Sequence, residues 1–432
     1  MGPRGCPAPL RRIKVSVGSR RVRLVRPTPT HRCNTPTNDF DTISIMTKLA
    51  TLALLAMGVA AQQAINTTEL GQIADALNAA GLTSLATAAA SIANTTVGTQ
   101  LLSILTNGDQ NYTIFAPTDK AISSGNKTVL GDPDQLANVL SYHVVPGTYG
   151  NSTVFYASPN NTIVHTLLNS TDSVNLPGNA SQVLSVNVKD GDVFVNGQGS
   201  TVKVANFTTV GRFSVLQIDH VLTPPGSLAD VAKAQKLTLF AQAVEQANLT
   251  DLLSNAKGVT IFAPTDEALT AALASLGADA QNQTIVSTIL QNHIINGSAI
   301  YSTEFDSKNF TSAAGEALNF YVANNTINVY SGSGNNITAK ITSRDNLASN
   351  GVIHVIDAVL ANTARDDNAA SSAYSSATDS ANNAKPTDGG NNSPVGGGPG
   401  NDAGGAADAR MHVAWTAVLG AAFVGMLAAT TL

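Results

Sequence analysis

The chain of 432 residues is 43% hydrophobic and only 12% charged, with a formal net charge of -5. This hydrophobic fraction excludes a wholly disordered chain, and the length suffices for two or three domains of about 100–200 residues each. Residues 1–45 carry nine Lys/Arg against two Asp/Glu, whereas residues 62–409 carry 13 against 27. The excess of acidic residues in residues 62–409 repels the phosphate backbone of nucleic acids, so nucleic-acid binding is disfavoured.

The N-terminal segment has the features of a targeting sequence. Residues 46–61 combine Lys48, an apolar run and small residues before Gln62, which are the three parts of a secretory signal peptide. We interpret residues 1–45, which are basic and proline-rich, as an extension upstream of a translation start at Met46. A mitochondrial-type presequence is the alternative for this extension, because acidic residues are scarce there. The mature chain is expected to begin near Gln62.

The cysteines restrict the chemistry of the mature chain. Cys6 and Cys33 are the two cysteines of the sequence, and both precede the signal peptide. Cleavage would leave a body without disulfides, zinc–thiolate or iron–sulfur sites, or a cysteine nucleophile. We therefore expect hydrophobic burial to hold the fold, and we predict no cofactor and no metal site.

Three segments of the body recur in the same order. Residues 112–121 recur as 259–268, residues 140–147 as 290–297, and residues 215–222 as 353–360. A period of this length indicates whole domains in tandem rather than a solenoid. We place the two domains at residues 65–224 and 226–362, with Pro224 and Pro225 at their junction.

The elements of the first domain follow from local patterns. Leu70, Ile73 and Leu77 mark one face of a helix that Gly81 ends. The β-branched and aromatic run Thr113–Ala116 predicts a buried strand. Thr118 follows it as the N-cap of a helix whose first turn holds Asp119, a position that favours a negative charge. Leu184, Val186 and Val188 then alternate before Asp190–Gly191, which predicts a β-hairpin.

The second domain repeats this order. Thr238 is the predicted cap of a helix that carries Phe240, Val244 and Ala247, and Thr265 caps the helix after the repeated strand, whose first turn holds Asp266 and Glu267. Residues 320–322 and 327–330 predict a hairpin with its turn at Asn324–Asn325. Each domain thus runs from helices into a mainly antiparallel sheet, so the predicted fold class is α+β.

The repeated segments carry a family resemblance. Residues 112–121 and 259–268 resemble the first signature of fasciclin domains, Tyr142–His143 resembles the central Tyr-His block, and residues 350–360 resemble the last signature. The resemblance implies a compact β wedge or sandwich flanked by N-terminal helices in each domain. It also implies a role in adhesion, with cell-surface, cell-wall or matrix proteins and glycans as partners. The sequence departs from the family pattern at Asn292, where a tyrosine is expected, and at Leu216, where a histidine is expected.

The central block supplies the predicted contact segment. It comprises Tyr142, His143, Val144, Val145, Pro146 and Gly147. For His143 and His293 a structural role competes with surface recognition. Neither histidine belongs to a metal-binding or catalytic motif, and no nucleotide-binding glycine pattern occurs.

Potential N-glycosylation sites are distributed over the body. The sixteen Asn-x-Ser/Thr acceptors are Asn66, Asn94, Asn111, Asn126, Asn151, Asn160, Asn169, Asn179, Asn206, Asn248, Asn282, Asn296, Asn309, Asn324, Asn336 and Asn391. Their number and spread fit a chain that passes through the secretory pathway. Some of them are expected to be buried and unused.

The C-terminal part has a different composition. Residues 363–409 are rich in Ser, Ala, Asn, Gly and Asp, which predicts a disordered stalk because few apolar side chains can be buried. Residues 410–432 end in an apolar tail, and this order of segments is typical of a glycosylphosphatidylinositol (GPI) anchor signal. The candidate attachment residues are Asn401, Gly404 and Gly405. A tail-anchored membrane helix is the alternative.

These patterns favour a non-enzymatic adhesion or cell-wall interaction protein on the outer leaflet of the plasma membrane. An extracellular hydrolase or glycan-modifying enzyme is the alternative, and it would need paired carboxylates at one cleft. Binding of an apolar small ligand between helices and sheet is a third hypothesis. No catalytic residue is predicted.

Overall fold

The computed structural model describes residues 65–383 apart from residues 151, 198–200, 248, 306–308, 324–325 and 333–336. The predicted extension, signal peptide and C-terminal anchor signal lie outside the described residues, and so do Asn401, Gly404 and Gly405. Within the described part, two domains follow one another, each with helices and a β-sheet, which confirms the predicted α+β class.

The first domain starts with helices and continues into strands. Its helices are α1 (Thr67–Ala79), α2 (Thr83–Ser91), α3 (Thr96–Asn107), α4 (Asp119–Ser124), α5 (Lys127–Leu130) and α6 (Pro133–Tyr142). Its strands are β1 (Tyr112–Pro117), β2 (Val144–Pro146), β3 (Thr162–His165), β4 (Val183–Lys189), β5 (Asp192–Asn196), β6 (Thr201–Val210) and β7 (Phe213–Ile218). Short 3₁₀ turns lie at Ser152–Val154 and Pro177–Asn179.

The second domain repeats this arrangement. Its helices are α7 (Leu228–Ala234), α8 (Thr238–Gln246), α9 (Thr250–Asn255), α10 (Asp266–Leu276) and α11 (Gln283–Asn292). Its strands are β8 (Val259–Pro264), β9 (Ile294–Asn296), β10 (Phe310–Thr311), β11 (Ala317–Ala323), β12 (Thr326–Ser331), β13 (Thr338–Ala348) and β14 (Gly351–Ile356). The 3₁₀ turns Gly277–Gln281 and Ser302–Glu304 complete it, and helix α12 (Asp367–Asn383) follows the domain.

Each domain has one seven-stranded sheet. The strand order is β2-β1-β7-β6-β5-β4-β3 in the first domain and β9-β8-β14-β13-β12-β11-β10 in the second. The first and last long strands run parallel, with Tyr112 opposite Phe213 in one domain and Val259 opposite Gly351 in the other. The other pairings between these named strands are antiparallel, in agreement with the prediction.

The repeated strand lies between two hydrophobic cores. Ile114 and Ala116 belong to a core shared with the helices, whereas Phe115 belongs to a second core formed by strands and loops. In the second domain Ile261 belongs to the core shared with the helices, and Phe262 belongs to the core formed by strands and loops. The side chains of this strand enter the two cores in turn, because successive side chains point to opposite faces of the sheet. Full burial of one such phenylalanine stabilises the fold by about 2–3 kcal/mol.

The local start and turn signals are largely confirmed. The side chains of Thr118 and Thr265 accept hydrogen bonds from the N–H groups of Ala121 and Ala268, at 3.3 and 3.2 Å. Thr238 is an exception, because Leu237 occupies the cap position and Thr238 is the first helical residue. The side chain of Leu237 cannot accept a hydrogen bond. The carboxylate of Asp266 on α10 accepts one from the N–H group of Leu239 in the first turn of α8 instead.

The predicted disordered stalk is wrong over Asp367–Asn383, which forms helix α12. Alanine-rich sequence favours a helix, and the Asp366 carboxylate caps it by accepting from the N–H groups of Asn368 and Ala369 at 3.0 and 2.9 Å. Tertiary contacts add to this, since α12 packs on β10 of the second domain and on the Pro177–Asn179 turn of the first. The composition indicated low hydrophobicity and did not reveal these docking surfaces.

Glycines permit the close approach of α12. A Cβ atom at Gly297 would lie 3.1 Å from the ring of Tyr374, and Gly297 has a φ of +83°. A Cβ atom at Gly178 would collide with the backbone of Ala381. Side chains at these two positions would therefore push the helix away from both domains. Among the described residues, no helix is both long enough and apolar enough to cross a lipid bilayer.

Candidate functional site

The predicted contact segment lies mostly inside the protein. Tyr142 ends α6, His143 is the C-cap of that helix, and Val144 and Val145 begin β2. These four side chains are at most 4% exposed, whereas residues 146–147 are half-buried. The prediction of a surface contact through the whole segment therefore needs correction, because packing encloses four of its six residues.

His143 has a structural role that its burial defines. Its Nδ1–H group donates to the carbonyl of Val139 at 2.7 Å, and its Nε2 atom accepts from the N–H group of Leu222 at 2.9 Å. This arrangement requires the neutral ring with the proton on Nδ1. Burial lowers the pKa of His143 to about 4, partly opposed by the hydrogen bond to Val139. The ring thus joins the end of α6 to the chain that leaves β7.

His293 repeats this geometry in the second domain. It contacts the carbonyl of Ile289 at 2.7 Å and the N–H group of Leu360 at 3.0 Å. Burial again lowers the pKa of His293 to about 4. Because the protein backbone satisfies both ring nitrogens in each case, neither histidine has an atom available for a substrate or a metal ion.

The residue before the histidine distinguishes the two domains. The hydroxyl of Tyr142 donates to the carbonyl of Val183 at 3.1 Å, and burial together with the nearby Tyr301 of the second domain raises its pKa. Its counterpart Asn292 donates to the carbonyls of Asn362 and Ala364, at 2.9 and 3.4 Å. Tyr142 therefore lies against the second domain, whereas Asn292 fixes the segment that leads into α12.

The two domains meet through a buried apolar face. It consists of Ile163 and Val183 from the first domain and of Tyr301, Leu347 and Val352 from the second. Polar contacts surround this face. The N–H group of Asn175 donates to the carbonyl of Ser349 at 2.8 Å, and the side chain of Gln182 donates to the carbonyl of Ala348 at 3.1 Å. These contacts connect the two domains beyond their covalent linker.

A buried carboxylate lies at the edge of the interface. Asp345 is 3% exposed, and its carboxylate accepts from the side chain of Asn161 in the first domain at 2.7 Å and from the N–H group of Ser302 at 2.7 Å. The hydroxyl of Ser302 donates to it as well. These donors compensate the cost of burying a charge. Asp345 therefore connects the two domains through one side chain.

His354 supports the backbone at this carboxylate. Its Nδ1 atom accepts from the N–H group of Asp345 at 3.3 Å, and its Nε2–H group donates to the carbonyl of Ile300 at 2.9 Å. Burial lowers the pKa of His354, and the charge of Asp345 opposes this effect. The contact between Asp345 and His354 was missed at the level of the sequence. The available signal was the absence of both residue types at the equivalent positions of the first domain, Phe207 and Leu216.

This arrangement is suited to structure rather than to catalysis. The oxygens of Asp345 point to protein donors at the domain interface and not to a cleft where a substrate could be held. In the part of the chain that the structure describes, no group of three His, Cys, Asp or Glu side chains is placed to hold a metal ion.

The glycosylation acceptors are mostly exposed where they are described. The exposed acceptors are Asn66, Asn94, Asn111, Asn126, Asn160, Asn169, Asn179, Asn206, Asn282 and Asn309. Asn296 is half-buried. The other five, for which no exposure is described, are Asn151, Asn248, Asn324, Asn336 and Asn391. Occupancy stays a prediction at all sixteen.

Comparison with known proteins identifies the fold. The model of the fasciclin-domain family matches residues 75–224 and 235–362. A fasciclin-like arabinogalactan protein of Arthroderma benhamiae is 27% identical over 232 residues, which are 52% of this chain and 51% of that protein. The chain thus aligns with about half the length of that relative. The fasciclin-like arabinogalactan protein elcF of Phaeosphaeria nodorum is 26% identical over 260 residues, which are 58% of this chain and 78% of that protein.

A solved structure of a FAS1 domain pair from the insect cell adhesion molecule fasciclin I is also similar. It is 19% identical, with a TM-score of 0.30, and the similarity covers 58% of this chain and 88% of that chain. The family match by itself covers more than half of the sequence, in two successive copies. The chain therefore belongs to the fasciclin-domain family and contains two tandem fasciclin domains.

Proposed function

We propose that the protein is a non-enzymatic adhesion glycoprotein, tethered by a GPI anchor outside the plasma membrane, that contacts cell-surface, cell-wall or matrix proteins and glycans. The observation that carries this proposal is the pair of fasciclin domains. Its relatives named as fasciclin-like arabinogalactan proteins agree with a surface location. The acidic body, the exposed acceptors for N-glycans and the apolar C-terminal tail support the same location.

Exposed apolar side chains provide a contact surface in place of the buried Tyr-His segment. Tyr321 and Val322 on β11 are 44% and 52% exposed, and the ring centroid of Tyr321 lies 6.0 Å from that of Tyr330 on β12. Tyr321 and Tyr330 project from the same side of the sheet, and we call these two residues the hairpin face, whereas Val322 projects from the opposite side. Exposed tyrosines are suited to recognition because they combine apolar area with a polar hydroxyl at low entropic cost.

Tethering strengthens such small contacts. A face of two side chains binds a partner weakly, but many copies on one membrane raise the effective concentration for each further contact. The contacts between the two domains also reduce the conformational freedom that remains to be lost on binding. Adhesion by this protein therefore depends on its density at the surface as well as on the chemistry of the hairpin face.

An attachment assay tests the contact surface. Cells displaying the full chain with Tyr321→Ser should detach under several-fold lower shear than cells with the original chain. Ile104→Ser is the matched control, since Ile104 is a similarly exposed apolar residue on α3 of the first domain. Equal attachment of the hairpin variant and the original chain would contradict the role of this face. Equal attachment of cells lacking the protein would contradict adhesion itself.

Phospholipase treatment tests the anchor. A phosphatidylinositol-specific phospholipase should release the protein from intact cells if a GPI anchor holds it. A tail-anchored helix would leave the protein in the membrane after the same treatment. Mass spectrometry of the released C-terminal peptide would then distinguish Asn401, Gly404 and Gly405 as attachment residues.

A further inference from the structure

The first domain contains a cavity between its helices. Its volume is about 360 Å³, which falls within the range of about 300–1,000 Å³ that is usual for small-molecule sites. Ile122, Leu130, Leu136, Val139 and Leu140 form an apolar wall on α4, α5 and α6. The cavity lies away from the hairpin face, so a function here is independent of adhesion.

The opposite wall is built from hydroxyl groups of α2. Thr83, Ser84, Thr87 and Ser91 line this side. The hydroxyls of Thr87 and Ser91 donate to helix carbonyls at 3.0 and 2.8 Å. A hydroxyl that donates one hydrogen bond still has lone pairs that accept another. The cavity therefore has one apolar wall and one wall of neutral hydrogen-bond acceptors.

Charge at the margin of this wall is negative. The Asp119 carboxylate accepts from the hydroxyl of Thr83 at 2.5 Å and from the N–H group of Ser84 at 2.8 Å, both on the hydroxyl wall. These hydrogen bonds hold the pKa of Asp119 below its ordinary value, so it stays ionised. No lysine or arginine is among the described residues that line the cavity. This electrostatic environment disfavours an anionic ligand.

The second domain shows that the fold does not require these small side chains. Ser84 and Leu239 occupy the same position, because their N–H groups donate to the equivalent carboxylates of Asp119 and Asp266. Counting along the two helices from this point, Thr87 and Ser91 correspond to Gln242 and Gln246. The second domain thus has three larger side chains where the first domain has hydroxyl groups.

Two of these three side chains are partly enclosed, since Leu239 and Gln246 are half-buried, whereas Gln242 is exposed. The Oε1 atom of Gln246 is shielded from solvent. Open apolar space forfeits packing contacts and lowers stability. The same fold thus accommodates larger side chains at these positions, so it does not require the small residues that border the cavity of the first domain.

We propose that this cavity binds a small neutral amphipathic molecule, with an aliphatic chain against the apolar wall and an uncharged hydroxyl head against α2. The chain would replace solvent along Leu136, Val139 and Leu140, which supplies the hydrophobic contribution. The head would donate to the hydroxyl oxygens of α2. A fatty acid of equal length fits the same volume but brings its carboxylate towards Asp119.

Calorimetric titration with two probes tests both parts of the proposal. 1-Decanol should bind the protein collected from cells that express the full chain, saturably and at one site. Decanoate at pH 7.5 should bind at least about tenfold more weakly than 1-decanol, because the Asp119 carboxylate repels its charge. Absence of saturable decanol binding, or equal affinity for both probes, would overturn the proposal. Adhesion measured in parallel is independent of either result.

Variants that copy the second domain locate the binding. Ser84→Leu with Ser91→Gln should weaken decanol binding about tenfold or more without lowering Tm, because both substitutions copy side chains that are half-buried in the second domain. Leu239→Ser is the matched control in the second domain and should leave decanol binding unchanged. Thr87→Leu replaces the double variant if the latter fails to fold. Decanol binding that persists in the filled variant, or that is lost in the control, would contradict the site.

Discussion

The two domains use the position before the buried histidine for different connections. In the first domain Tyr142 reaches Val183 and lies against Tyr301 of the second domain. In the second domain Asn292 holds the backbone of the segment that leads to α12. The comparison teaches that one scaffold position joins a domain to whatever follows it in the chain. The tyrosine of the first domain contacts the neighbouring domain, and the amide of the second domain donates to the carbonyls of the segment that leads to α12.

A second pair of positions differs between the domains. Asp345 and His354 lie on β13 and β14, where Asn161 of the first domain approaches. At the equivalent positions of β6 and β7 the first domain has Phe207 and Leu216. Phe207 is 43% exposed, whereas Asp345 is buried. A charge with three donors is thus found where the domains meet, and an apolar pair is found where no such donors are supplied.

The largest expected effect on the free energy of unfolding concerns the buried histidine that both domains share. The pKa of His143 and that of His293 are lowered from 6.5 to about 4, so the unfolded chain binds more protons between these pH values. Stability should therefore be fully present above about pH 6.5 and fall as the pH drops towards 4. At about 1.4 kcal/mol per pKa unit, each histidine contributes about 3 kcal/mol.

Chemical denaturation at pH 7 and pH 4.5 measures this dependence. The burial of His354 and His165 lowers their pKa values too, which adds to the same trend. His220→Gln is the control, because it removes an exposed histidine side chain instead of a buried one. A free energy of unfolding that is constant between pH 4.5 and pH 7 would contradict the neutral histidine caps in both domains.

The next effect concerns the interface. Asp345→Ala removes the acceptor for Asn161 and Ser302 and leaves buried donors unsatisfied, which should cost about 2–3 kcal/mol. Phe207→Ala at the equivalent position of the first domain should cost about 1 kcal/mol or less, because that side chain is partly exposed already. Urea denaturation of both variants measures the difference. Equal losses would show that the carboxylate does not act between the domains.

The smallest effect concerns the residues before the histidines. Tyr142→Phe loses one hydrogen bond, whereas Asn292→Ala loses two that the amide donates and one that it accepts from Ser312, so the expected costs are about 1 and about 2 kcal/mol. Hydrogen exchange distinguishes them further. Asn292→Ala should increase the exchange of α12 amides, whereas Tyr142→Phe should leave them unchanged. Increased exchange of α12 in the tyrosine variant would remove the proposed distinction between the two domains.

Much of the local structure could be predicted from the sequence. The strand before Thr118 and Thr265, the two caps and the hairpin at Asp190–Gly191 depend on neighbouring residues, so periodicity and turn chemistry sufficed. The contact segment was placed wrongly because an apolar run with a tyrosine does not show what packs over it. Asp345 was missed because a single acidic residue in a polar strand has no periodic signal.

The sequence by itself determined the duplicated domain, its α+β class and the absence of cysteine after residue 33, because repeats, alternation and composition are properties of the chain. Only the tertiary structure decided which side of each repeated element is buried. It enclosed Tyr142, placed Asp345 between the domains and gave α12 its docking surfaces. The reason is physical: burial depends on contacts between residues far apart in sequence, and each such contact needs both partners in place.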